Sequence, residues 1–124
     1  MHEDFDLVVL PGGLPGADNL RDDPRIIHLL QSTHAAGRLV GAICAAPKVL
    51  AQAGLLRGRR AAHYPGALNA VELEGVEDSA QAIEQDGRVL TSRGPGTAMD
   101  FALALVEQLM GEEKRREVER ALVR

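Results

Sequence analysis

The chain has 124 residues, a formal net charge of −4 and a single cysteine. That length suits one domain, 1–124, with a real core, and the negative balance gives no electrostatic footprint for nucleic acid. A lone cysteine excludes an intrachain disulfide and points to a reducing compartment, no apolar run is long enough to span a membrane, and the acidic start at Met1 to Asp4 does not read as a signal peptide, so a cytoplasmic location is expected.

Phe5 to Leu10 is an apolar run broken only by Asp6, and it ends at Pro11-Gly12-Gly13. A short apolar run closed by glycines reads as a buried parallel strand. Gly12 and Gly13 let the backbone approach a ligand and turn its N–H groups toward it; the plainer reading is an ordinary turn. Asp18 or Asn19 is a candidate cap for a short helical turn. Asp22 or Asp23, followed by Pro24, opens a longer helix with Ile26, Ile27, Leu29 and Leu30 on one side and Gly37 as its stop. His28 and His34 on that helix read as solvated.

Leu39 to Ile43 is a second apolar run, and it leads straight into Cys44. A helix-forming pattern follows from Ala45 to Ala53, with Pro47 in its first turn and Gly54 at its end. Strand, sharp turn and helix place Cys44 near a helix N-terminus, where unpaired N–H groups favour negative charge. The thiolate is the reactive form of cysteine, and nucleophile-bearing turns of α/β enzymes share this arrangement. Against it stands the tendency of lone cysteines after apolar runs to be core. The alternation strand, helix, strand, helix implies a parallel sheet with right-handed crossovers, in which ligands bind beyond the carboxyl ends of the strands. Gly12-Gly13 and Cys44 both lie at those ends, which favours a reactive thiol.

The middle is less regular. Arg57, Arg59 and Arg60 read as a solvated connection. Ala61-Ala62 suggests a short strand whose end brings His63 to the carboxyl edge. Ala80 to Glu84 and Arg88 to Ser92 flank Gln85-Asp86-Gly87, a hairpin signal. Ser92 or Thr97 is a candidate cap for a helix over about Ala98 to Met110, apolar round much of its circumference and expected to be well buried. Gly111 stops it, and a charged helix follows to the C-terminus. No metal-ligand spacing is present.

Three stretches, Val8-Val9-Leu10-Pro11-Gly12-Gly13, Ala42-Ile43-Cys44-Ala45-Ala46-Pro47 and Leu90-Thr91-Ser92-Arg93-Gly94-Pro95-Gly96-Thr97, resemble the signature stretches of the DJ-1/ThiJ/PfpI superfamily, closest to its DJ-1 and YajL branch. The resemblance covers nearly the whole chain. It implies a flavodoxin-like α/β fold, a mostly parallel sheet with helices on both faces, and a homodimer. It implies that Cys44 is a nucleophile easily oxidised to a sulfinate, that Gly12, Gly13 and Ala45 form an anion site through their backbone, and that Tyr64, Arg93 and Pro95 line the pocket. A side chain at position 13 is then expected to crowd the site. The implied chemistry is of glyoxalase or deglycase type, on α-oxoaldehydes and their glycated adducts, with no cofactor. A redox sensor or redox-regulated chaperone without turnover is the alternative reading, and a cysteine peptidase a weaker one.

Two departures stand out. Where DJ-1 itself has a histidine near the thiol, this chain aligns Tyr64, with His63 one position earlier as a candidate catalytic partner. The resemblance also implies a β-α-β unit before Phe5, carrying a glutamate that hydrogen-bonds the thiol, and no acidic residue here matches it. The chain therefore reads as a form truncated at its N-terminus.

Overall fold

Leu39–Ile43 forms β2, the strand on which the molecule is built. The computed structural model describes residues 5–13 and 15–123. On one side β2 pairs in parallel with β1, Leu7–Leu10; on the other it pairs in parallel with β6, Val89–Ser92. β5, Ile83–Asp86, runs antiparallel along the outer edge of β6, so the sheet order is β1-β2-β6-β5. The hairpin is where the Asp-Gly signal puts it, but β5 begins later than Ala80 and extends through Gln85 and Asp86, leaving Gly87 and Arg88 as the turn. Gly87 has φ +62°, a conformation that favours glycine.

Side-chain alternation along β2 sets the two layers. Val40 and Ala42 point into a core with Leu30 of α2, Pro24–Ala35, and with Val49 and Leu50 of α3, Pro47–Gln52. Gly41 points the other way. A Cβ there would lie 3.3 Å from Phe101 Cζ, so the missing side chain lets α4, Ala98–Met110, sit close on the sheet. Asp23 caps α2 by accepting from Arg25 N, with Pro24 next in line, so of the two candidate caps Asp23 is the one used.

α4 departs from expectation in its burial. Phe101 and Leu103 are buried, but Met99, Leu109 and Met110 are exposed. The helix packs on one sheet face and against α5, Glu112–Ala121, and the rest of its apolar circumference faces outward. Val9 shares that face by its register with Gly41 and is 39 % exposed. No strand pairs with the outer edge of β1 among the described residues.

The middle segment is more ordered than its sequence suggests. β3, Arg60–Ala61, pairs in parallel with β4, Glu77–Asp78. This ribbon is tied to the main sheet by Ala62 N donating to Thr91 Oγ1 and Arg60 N donating to Asp86 Oδ2. Arg59 is half-buried rather than solvated. Its guanidinium donates to Asp86 O and to His34 Nε2, so His34 is likewise drawn into the structure. Asn69 and Glu72 exchange side-chain to backbone hydrogen bonds of 2.8 Å and close the loop between the two short strands.

Candidate functional site

The apolar run of β2 ends at Ile43, and the next residue turns sharply. Cys44 has φ +66°, a left-handed conformation rare for a residue with a side chain. Such a backbone typically costs about 1–3 kcal/mol and persists only where its surroundings over-determine it. Here they do. Cys44 N donates to Ser92 O at the end of β6, at 3.0 Å, and Cys44 O accepts from Tyr64 N at 2.8 Å. Ala46 N donates back to Ile43 O and closes the turn, after which Pro47 starts α3. The thiol is half-buried, and no described residue hydrogen-bonds its sulfur.

Gly12, just past β1, faces this turn. A Cβ on it would lie 2.6 Å from Cys44 Cβ, 2.9 Å from Ile43 O and 3.5 Å from Sγ. Only glycine allows the two strand ends to come so close. Gly13 differs. Its φ is +98°, but nothing lies within 4 Å of where its Cβ would stand, so crowding of the thiol arises at position 12 and not at 13. The N–H groups of Gly13 and Ala45 donate to no acceptor among the described residues. Both flank the thiol in the sequence of the two turns, and unpaired backbone donors at strand ends are available to an anion.

His63 is buried, 5 % exposed, and makes no hydrogen bond to the thiol. Its Nδ1 is 3.1 Å from Tyr64 O and its Nε2 lies 3.1 Å from Asp78 Oδ1, a close approach without hydrogen-bond alignment. The parallel pairing of Ala61 with Asp78 brings that carboxylate alongside. The expectation of His63 as direct partner of Cys44 thus meets a ring whose nitrogens already face other oxygens. Tyr64 stands at the rim, its ring over Gly94, where an added Cβ would be 3.2 Å from Cδ2. Pro95 opens an exposed 3₁₀ turn, Pro95–Thr97. Arg93 donates through Nη1 to Ala80 O, which holds its head along the segment before β5.

Two features of the site were not foreseen. Lys48, on the first turn of α3, is buried, and its Nζ donates to Asp18 Oδ1 at 2.8 Å. Asp18 belongs to α1, Gly16–Arg21, which follows the Gly12-Gly13 loop, so the ion pair staples the two turns around the thiol. The hydrogen bond from Lys48, with Arg21 close by, holds the Asp18 carboxyl below the usual carboxylate range. Asp18 therefore serves this pair instead of capping α1. The signal was a lone lysine in an otherwise apolar helix start. The second is Thr97, whose Oγ1 meets Ser92 Oγ at 2.6 Å and accepts from Gly94 N. It braces the loop that carries Ser92 O rather than capping α4. Among the described residues no three of His, Cys, Asp and Glu come together as a metal site would require.

A cysteine on a strained strand-to-helix turn, at the carboxyl edge of a mostly parallel sheet, defines an α/β protein with a cysteine-bearing elbow. The sequence profile of the DJ-1/PfpI family matches residues 1–108, and the chain belongs to that family. It is 41 % identical over 120 residues to protein dj-1beta of Drosophila melanogaster, covering 96 % of this chain and 64 % of that protein. Protein DJ-1 homolog A of Arabidopsis thaliana is 41 % identical over 120 residues, 96 % of this chain and 31 % of that one. A Caenorhabditis elegans protein named glutathione-independent glyoxalase is 42 % identical over 110 residues, 89 % of this chain and 58 % of its own length. The crystal structure of the Drosophila DJ-1beta superposes with a TM-score of 0.91 at 40 % identity, over 98 % of this chain and 65 % of the other. The chain thus spans from under a third to just under two thirds of these relatives. No helix among the described residues is long and apolar enough to cross a membrane.

Proposed function

We propose that Cys44 is the nucleophile of a glyoxalase-type reaction on small α-oxoaldehydes. The observation that carries this is the strained backbone of Cys44, held at φ +66° on a strand-to-helix turn, with the N–H groups of Gly13 and Ala45 lacking an acceptor among the described residues. The name of the C. elegans relative supports the choice of chemistry. The thiolate adds to the aldehyde carbon and forms a hemithioacetal, whose oxyanion is received by the two N–H groups; losing one such donor typically costs about 2.7–4 kcal/mol in catalysis. The hydrogen on that carbon moves to the neighbouring ketone carbon as a proton through an enediol, leaving a thioester of the 2-hydroxy acid. Water hydrolyses the thioester and returns the thiol, so the sum is oxoaldehyde plus water to 2-hydroxy acid with no external oxidant. No described residue hydrogen-bonds Sγ, so the proton carrier in this scheme is solvent or a group outside the described residues. Glycated adducts enter once their C–N or C–S bond breaks, which releases the amine or thiol and restores the aldehyde that the thiolate attacks. A homodimer in a reducing, cytoplasmic setting belongs to this reading.

That no described residue hydrogen-bonds Sγ favours one second reading, in which Cys44 is oxidised to a sulfinate as a sensor or chaperone switch and turns nothing over. Methylglyoxal consumption with measurement of lactate, in the wild type and in Cys44→Ala, separates the two. Lactate formation abolished by the substitution is expected. Quantitative sulfinate formation in peroxide with no lactate from the wild type would favour the sensor instead.

A further inference from the structure

Tyr64 is unusually well fixed for a half-exposed residue. Its N–H donates to Cys44 O at 2.8 Å, so its backbone is tied to the residue that bears the thiol. Its own carbonyl faces His63 Nδ1 at 3.1 Å, and because a carbonyl only accepts, the nitrogen is the donor. The same imidazole meets Asp78 on its other side. The Tyr64 ring lies against Gly94, on the loop whose Ser92 O holds Cys44 from the opposite direction. Yet the residue is 49 % exposed, and its hydroxyl has no partner among the described residues. The result is a half-exposed aromatic ring on a backbone tied directly to that of Cys44.

The geometry points to Tyr64 as the residue that sets substrate preference at Cys44, favouring carbonyl compounds with a flat aryl substituent over those with a methyl, and to His63 as the positioning residue that holds the Tyr64 carbonyl through its Nδ1. This rests on the reading of Cys44 as the nucleophile. A residue whose N–H and carbonyl are both held and whose ring rests on Gly94 loses little freedom when a second ring stacks on it, and offset or edge-to-face aromatic pairs contribute beyond buried area. His63 does not touch the reacting atoms. Its role is to keep the Tyr64 carbonyl, and with it the ring, in place.

The test must survive absence of turnover, so it starts with stoichiometric chemistry. Phenacyl bromide and bromoacetone react alike: Sγ forms a bond to the methylene carbon, the C–Br bond breaks and bromide leaves. The ratio of their rates at Cys44, read by intact-mass spectrometry and divided by the same ratio for N-acetylcysteine, reports the wall alone. The wild type is expected to favour the aryl reagent by about 2- to 12-fold, the range that aromatic pairs supply. Tyr64→Phe should keep that ratio and Tyr64→Leu should bring it to one. His63→Leu should reduce it, with His63→Asn, which retains a donor toward Tyr64 O, restoring part. A wild-type ratio of one, or an unchanged ratio in Tyr64→Leu, overturns the inference. Phenylglyoxal against methylglyoxal turnover should shift in parallel. No turnover with an intact alkylation ratio would count against glyoxalase chemistry while leaving the wall standing.

Discussion

Replacing Gly12 by alanine puts a methyl group into the tightest of the glycine positions. Carbon atoms pack at about 3.5–4.0 Å, whereas the added Cβ would stand 2.6 Å from Cys44 Cβ and 2.9 Å from Ile43 O. A shift of about 1 Å is needed. Neither neighbour yields easily: Cys44 is anchored at both its N–H and its carbonyl, and Ile43 is the last residue of β2 and accepts from Ala46 N. The remaining relief is for the end of β1 to draw away from β2, which loosens the pairing of Leu10 with Ala42. Overpacking of this kind costs about 1–3 kcal/mol, offset by about 0.4–1 kcal/mol from the lower entropy of the unfolded alanine chain, so a net loss of about 1–2 kcal/mol is expected. Urea denaturation with an unchanged slope measures it. Alkylation of Cys44 by iodoacetamide should slow at the same time. Gly13→Ala is the control: its strain lies in φ and its Cβ meets nothing, so stability should fall while the alkylation rate holds. A Gly12→Ala protein within about 0.5 kcal/mol of wild type, a shift ordinary for an unstrained surface site, and alkylated at the same rate, would refute the packing argument.

Two other outcomes follow from the same geometry. Cys44→Gly should be at least as stable as Cys44→Ala and up to about 1 kcal/mol better, since glycine removes the left-handed penalty of about 1–2 kcal/mol but adds unfolded-state entropy; a clearly more stable alanine variant would mean that the turn is not strained. Burial first, and then the Arg59 guanidinium, hold His34 below its ordinary value of 6.5. A depressed histidine contributes stability above its unfolded value, and that contribution is lost as pH falls toward the folded one. The thermal midpoint should therefore drop as pH is lowered from about 7.5 through 6.5, and His34→Gln should flatten that drop; parallel curves for the two proteins would speak against it.

The parts of the fold that were legible in the sequence are those where local signals and burial agree. β2 is apolar throughout because both its faces are covered, and its direct run from Ile43 into Cys44 carried the elbow. Asp23-Pro24 and Asp86-Gly87 are caps and turns whose chemistry is local. What was missed depends on distant partners. The β3–β4 ribbon is two residues wide on each side, too short for any periodicity, and it exists because Thr91 and Asp86 supply side-chain acceptors. The approach of Asp78 to the His63 ring comes through that ribbon. The Lys48–Asp18 pair joins two turns that the sequence reading treated separately. α4 looked like a buried helix because its composition is apolar all round, but composition does not say how many sides are covered.

The anchoring of Cys44 by Ser92 also bears on the order in which the molecule assembles. β1, α2, β2 and α3 occupy the first half of the chain and form a unit that can associate as soon as it is made. The hydrogen bond that holds the elbow comes from the end of β6, far along the chain, and the bond to its carbonyl comes from Tyr64, beyond β3. Contacts between such distant segments carry the cost of closing a long loop and tend to form late. Until they do, nothing compels the cysteine backbone into its unfavourable conformation. A nascent chain can thus carry a nearly complete half-sheet whose thiol is still an ordinary one, and the distinctive geometry at Cys44 appears only when the last central strand docks.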